Sequence, residues 1–183
     1  YLIFTLLNIS GVKAAATFEL IITIFAVVEL LIFAGVTLPH FEVSNVTKNS
    51  LPNGIPGIFA ALPFAVWFFL GIEGLANVAE ETRNPQKDIL KGFGWAILTL
   101  VALCIITFIS AVGVAGWEAI VFDSTGAVSD SPLPLAMGKV VGNNGVMFHV
   151  LVTIGLFGLV ASFHGLILAA GRSTFEFGKM GFA

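Results

Sequence analysis

Charge is what this sequence has least of. Only 10% of its 183 residues are Asp, Glu, Lys or Arg, against about 25% in an ordinary soluble domain. There is one cysteine, Cys104, so neither an intrachain disulfide nor a cysteine-built metal site can form. Cys104 reads as a small apolar residue within a helix. No basic patch and no block of like charge occurs, and the formal net charge is −3. Nucleic acid is therefore not an expected partner. The pattern of a charged start, a short apolar core and a cleavage site is lacking as well, and no motif recurs at a fixed spacing.

Apolar mass takes the place of charge. Hydrophobic residues make up 57% of the chain and the mean hydropathy is +1.02, more apolar surface than one small core can absorb. Four runs, at 14–38, 57–79, 93–117 and 146–171, have the roughly 20 residues a helix needs to cross about 30 Å of hydrocarbon. The second continues through polar residues and is read as a broken span over 57–82. Residues 1–7 are too short to span and read as the end of a preceding helix. The sequence opens inside an apolar run without methionine, and the expectation is one membrane domain belonging to a longer multi-pass protein. The expected fold class is all-α, a polytopic transmembrane helix bundle whose solvent is the lipid bilayer.

Loop charge sets an expected orientation. Lys13, Arg83, Lys87, Lys91, Arg172 and Lys179 fall on one side, and only Lys48 and Lys139 on the other. The first side is expected to be cytoplasmic. Loops 39–56 and 118–145 then face outward, and their Gly, Pro, Ser and Asn content predicts irregular backbone, with a short surface helix at 134–141. Asn45 and Asn8 open glycosylation sequons that carry no weight, since such matches arise often by chance.

The second span holds the most informative stretch. Glu73 stands between Gly71 and Gly74 inside an apolar run. A charge at the centre of a bilayer helix costs about 2.5–3.5 kcal/mol, and each glycine weakens a helix by about 1 kcal/mol relative to alanine. Together they predict local unwinding. An unwound helix exposes carbonyls at one half-end and N–H groups at the other, with opposite partial charge; such backbone survives only against protein or a cavity, and a polar substrate fits there. The other reading is a glycine pair packed on a neighbouring helix, with Glu73 bonded across the contact. The span closes at Asn84-Pro85, which stops a helix, and Glu80 has Arg83 or Asn84 as a local partner.

Phe68-Phe69-Leu70-Gly71-Ile72-Glu73-Gly74, followed by Ala79-Glu80-Glu81-Thr82-Arg83-Asn84-Pro85-Gln86-Lys87-Asp88-Ile89, resembles the sixth helix and following loop of the amino acid–polyamine–organocation superfamily. Ser131-Pro132-Leu133-Pro134-Leu135-Ala136, Ala161-Ser162-Phe163-His164-Gly165 and Ala170-Gly171-Arg172-Ser173-Thr174-Phe175-Glu176 extend the likeness over nearly the whole chain. Within that superfamily the sequence is most similar to ethanolamine permeases. The resemblance implies a secondary transporter of the leucine-transporter-type fold, of which this chain is a partial copy, from the end of the fourth helix through the eighth. It implies that Phe68, Phe69, Leu70, Gly71, Ile72 and Gly74 line a substrate site, that Trp67 stacks nearby, and that Glu73 serves gating or proton coupling. The remaining half of the site would come from helices of the same parent chain that are missing here. The implied location is the cytoplasmic (inner) cell membrane, and no cofactor is implied beyond a coupled H+ or Na+. Many members carry a lysine in the fifth helix where this chain has Ala26, which leaves the coupling ion open. The loop also reads Ile89-Leu90 where relatives often have Ile-Pro.

Three further polar residues lie within apolar runs. Glu29 has Phe25, Ala26, Ile32 and Phe33 as helical neighbours, so it points inward or is protonated; proton coupling and a neutral hydrogen-bonded role both stand. His164 reads as a packing histidine or a proton carrier, and Ser162 falls where sodium-coupled relatives hold an ion. Glu19 is expected to snorkel to the interface. His40 and His149 read as surface residues. His149 and His164 are too far apart along one helix, about 22 Å, to share a metal. An enzyme would need a nucleophile beside a base; Cys104, Ser162 and His164 are the candidates and no hydrolase motif frames them, so no enzyme is expected. A structural or receptor role is the alternative from another class.

Overall fold

The computed structural model describes residues 1–72, 74–75, 79 and 82–182. Among them the chain is helical, with one isolated antiparallel bridge between Phe122 and Val128. The helices are α1 (Leu2–Ile9), α2 (Val12–Thr37), α3 (Val43–Thr47), α4 (Gly54–Val66), α5 (Pro85–Ala115), α6 (Trp117–Val121), α7 (Pro132–Val141) and α8 (Val146–Lys179). Short 3-10 turns extend α2 to His40 and α4 to Phe69. Among the described residues three helical segments, Val12–His40, Pro85–Ala115 and Val146–Lys179, are long and apolar enough to cross a membrane.

These helices outrun the apolar stretches that announce them. α5 starts at Pro85 because the proline needs no N–H partner in a first turn. The Asn84 N–H donates to Asp88 Oδ2 at 3.2 Å, a side chain reaching back to an otherwise unpaired end of the helix. α8 runs on to Lys179 because hydropathy marks the hydrocarbon, and a helix need not stop where hydrocarbon does. Gly116 ends α5 with φ 84°, a conformation that suits glycine. Inside the helices, hydroxyls fold back on the carbonyl four residues earlier. Thr37 Oγ1 donates to Phe33 O at 2.7 Å, Ser110 Oγ to Ile106 O at 2.6 Å and Thr153 Oγ1 to His149 O at 2.7 Å. That bond is how a hydroxyl satisfies itself where water is absent.

α2 packs along both α5 and α8. The buried apolar core sits at one end of the bundle, where Phe33 of α2, Ala111 and Val112 of α5, Ile120 of α6, Met137 of α7 and Leu151 of α8 meet. Elsewhere large apolar side chains face outward, among them Leu20, Phe108 and Leu159 at 61, 60 and 69% exposure. A surface of that kind belongs in hydrocarbon or against further helices.

Loop 39–56 is fastened over the core end. The last carbonyls of a helix lack intrahelical donors, and Gly113 O of α5 accepts from the Glu42 N–H at 3.0 Å and from Asn45 Nδ2 at 2.9 Å. Trp117 Nε1 donates to Asn49 O, and Asn49 Nδ2 to Glu118 Oε1, both at 2.9 Å. In the second loop Asp123 Oδ1 accepts from Thr125 Oγ1 at 2.6 Å and from the N–H groups of Thr125 and Ala127 at 2.8 and 3.1 Å. These bonds, the Thr125 hydroxyl first, hold the Asp123 carboxyl below its ordinary value. The folded value is the lower one, so the support Asp123 gives its turn is complete above about pH 4 and is lost as pH falls through the depressed value. The protection factor of the Ala127 amide against hydrogen exchange is expected to stay constant from neutral pH to about pH 4 and to fall below it. In Asp123→Asn that acid step should vanish.

Candidate functional site

α4 does not reach across a bilayer. Its helix spans Gly54–Val66, and one 3-10 turn carries it to Phe69. Pro63 inside it has no N–H to give the preceding turn. Leu70 then turns extended, at φ −63° and ψ 129°, and Gly71 takes φ 89°. A positive φ of this kind is open to glycine and strained for branched residues. Beyond it the Gly74 N–H closes a tight turn on Gly71 O at 3.0 Å. Glu73 lies outside the described residues, as does Glu80.

α8 presents glycines to α2. A Cβ on Gly155 would lie 3.4 Å from Glu29 Oε1, one on Gly158 3.8 Å from Ala26 Cβ, and one on Gly165 3.5 Å from Glu19 Oε1. The helices therefore run antiparallel, and each intramembrane acid of α2 faces a position of α8 without a side chain. Small residues at such contacts let helices approach closely, and here they also make room for carboxylates.

Glu19 does not turn to the interface. Its Oε2 lies 2.6 Å from His164 Nδ1, because a ring nitrogen on the facing helix is nearer than water. His164 is wholly buried while Glu19 keeps 31% side-chain exposure. The imidazole meets the rings of Phe4 and Phe18 edge-on, with centroids 5.6 and 5.0 Å away. Its Nε2 is buried without a hydrogen-bond partner among the described residues. His40 and His149 are exposed.

A cavity of about 620 Å³ lies between α2, the break after α4, and α8. Glu19, Leu70, Gly71, Gly74, Ser162 and Arg172 are among the residues that line it. Of the residues singled out in the sequence, the structure therefore brings Leu70, Gly71, Gly74 and Ser162 to one cavity, with His164 bonded to Glu19 of its lining. Trp67, Phe68 and Phe69 are exposed and lie outside this lining, and Ile72 is half-buried. Glu29 belongs elsewhere: it lines a separate space of about 440 Å³ together with Asp130, Phe33 and Leu151. No group of three or more metal-ligating side chains occurs among the described residues.

The Glu19–His164 contact, joining residues 145 positions apart, is what sequence reasoning missed. The available signal was that both are polar side chains within apolar runs, which seek a partner. Periodicity within either helix does not say which partner.

The chain matches the amino acid permease family over residues 1–183. It is 34% identical to an uncharacterized transporter of Rhizobium meliloti over 179 residues, which cover 94% of this chain and 37% of that protein. It is 29% identical over 93 residues to a branched-chain amino acid permease of Bacillus subtilis, covering 51% of this chain and 20% of the relative. A vacuolar cationic amino acid transporter of Arabidopsis thaliana is 25% identical over 178 residues, covering 93% and 28%. The chain thus spans little more than a third of the length of these relatives at most. No solved structure matches it.

Proposed function

Because the chain belongs to the amino acid permease family, a family of transporters rather than enzymes, we propose that it forms the central helices of a secondary transporter in the cell membrane. The transporter carries ethanolamine or a related small amine or amino acid by alternating access, driven by H+ or Na+, and further helices of the parent chain complete the site. The observation that carries this reading is the interruption at Leu70 and Gly71 beside a cavity walled by α2 and α8. Backbone that leaves the helical ladder at membrane depth is stable only if a cavity or protein surrounds it, and its bare peptide groups then suit a polar guest. Trp67, Phe68 and Phe69 would face that guest once the remaining helices are in place, and Glu73 would serve gating or proton coupling.

Ethanolamine is the substrate favoured by the sequence likeness. The names of the relatives favour a second reading, a more general amino acid permease. Uptake of radiolabelled ethanolamine by the full-length protein in proteoliposomes, competed with unlabelled alanine and glutamate, separates the two. Saturable uptake that resists both competitors supports ethanolamine, and uptake abolished by alanine supports the general permease. No uptake of ethanolamine or of any amino acid would leave a structural or receptor role in its place.

A further inference from the structure

The break and its cavity give a place for a substrate; they do not say how proton and substrate are linked. The geometry points to the Glu19–His164 pair as a proton site that competes with the substrate ammonium, so that binding of either releases the other. This rests on the transport reading above, since it takes the cavity beside Gly71 as the amine's place.

Three observations converge on the pair. First, its two members are unequally accessible. His164 is wholly buried and Glu19 is 31% exposed, so protons reach the pair through the carboxylate alone. Second, that carboxylate forms part of the wall of the cavity that also holds Leu70 and Gly71. Third, the imidazole of the pair is packed against apolar rings, Phe4 and Phe18, with Nε2 buried and unpartnered among the described residues. A low-dielectric surround penalises net charge.

The proton balance is simple. With neutral His164 donating Nδ1–H to ionised Glu19, the pair carries net charge −1. One proton from water in the cavity makes it neutral, and the same proton returns to that water when the pair discharges. A bound ammonium supplies the alternative neutralisation of the carboxylate. Two cations competing for one acid are linked reciprocally: each lowers the other's affinity by the same factor. Of the other charged groups among the described residues, Arg172 of α8 lines the same cavity and Lys13 lies nearer the start of α2; the rings of Tyr1 and of Phe4 in α1 pack against Phe163. Glu29 faces a different space.

The test is the pH dependence of radiolabelled ethanolamine and alanine binding to the detergent-solubilised full-length transporter. Wild-type affinity is expected to weaken roughly tenfold for each pH unit below a midpoint, with release of up to one proton per ligand bound into weakly buffered solution. Glu19→Asp, which retracts the acid by one methylene, and His164→Phe, which keeps the packing but removes the Nδ1–H donor, should each move that midpoint, since the midpoint belongs to the pair. Affinity that stays constant from pH 5 to 8 overturns the inference and leaves the transport reading intact. So does a midpoint unchanged in both variants. Failure of the wild type to bind either probe at every pH sinks the substrate reading, and this inference with it.

Discussion

Gly71→Val is expected to reduce the initial rate of uptake by the full-length transporter at least about fivefold, with normal amounts of protein in the membrane. The cause would be backbone rather than packing. A Cβ at Gly71 meets nothing within 4 Å among the described residues. What valine cannot adopt without strain is φ 89°; residues held in such regions cost of the order of 1–3 kcal/mol. Each 1.4 kcal/mol is about tenfold in an equilibrium, so the interrupted form would be depopulated roughly five- to 150-fold. Asparagine, which tolerates positive φ better, should lose less than valine. Gly94→Ala in α5 is the control: its Cβ also meets nothing within 4 Å and its φ is not positive, so uptake should be unchanged. Equal losses in Gly71→Val and Gly94→Ala would mean that the break is not what transport needs.

The same glycine shows how far sequence alone reaches. A bundle of apolar helices was legible because hydrocarbon imposes a length and a composition that few other solutions satisfy. Helix ends were less so. Pro85 to Lys91 is polar and reads as a loop, yet a proline at the first helical position and the Asn84–Asp88 bond start α5 there. A glycine pair around an acid can be read in one dimension as weakened helix. Which side chains then line the resulting space is a matter of three helices meeting, and Trp67 to Phe69 are exposed and stay outside the lining that Leu70 and Gly71 join. Glu19 shows the same limit. Its distance from the cytoplasmic end of α2 suggests an interfacial fate, and only the antiparallel apposition of α8 puts His164 within 2.6 Å. Glycines on α8 can be read as small residues for close packing; that two of them make way for carboxylates depends on the partner helix.

Gly113→Leu should be the most destabilising single change at the loop end of the bundle. A Cβ there would collide with the Phe41 ring, and Gly113 is buried in α5. Overfilling a packed site costs about 1–3 kcal/mol. The damage would not stop at the ring, because the Gly113 carbonyl holds both the Glu42 N–H and Asn45 Nδ2. Displacing Phe41 strains both bonds, each worth about 1 kcal/mol net. A total of about 2–5 kcal/mol corresponds to a fall in Tm of at most roughly 4–20 °C, since about 2–4 °C per kcal/mol holds for about 150–250 residues and a longer chain shifts less. Thermal unfolding of the detergent-solubilised full-length protein, followed by tryptophan fluorescence, reads it; Trp117 sits in the affected loop contact with Asn49. The pair Gly113→Ala and Phe41→Ala separates ring collision from lost helix-end bonding. If the collision dominates, Phe41→Ala should recover most of what Gly113→Ala loses, giving a coupling energy outside additive error of about 0.5 kcal/mol. Additive losses would place the cost in the carbonyl's two bonds instead, and would mean that loop 39–56 is held to α5 by hydrogen bonds more than by the Phe41 ring.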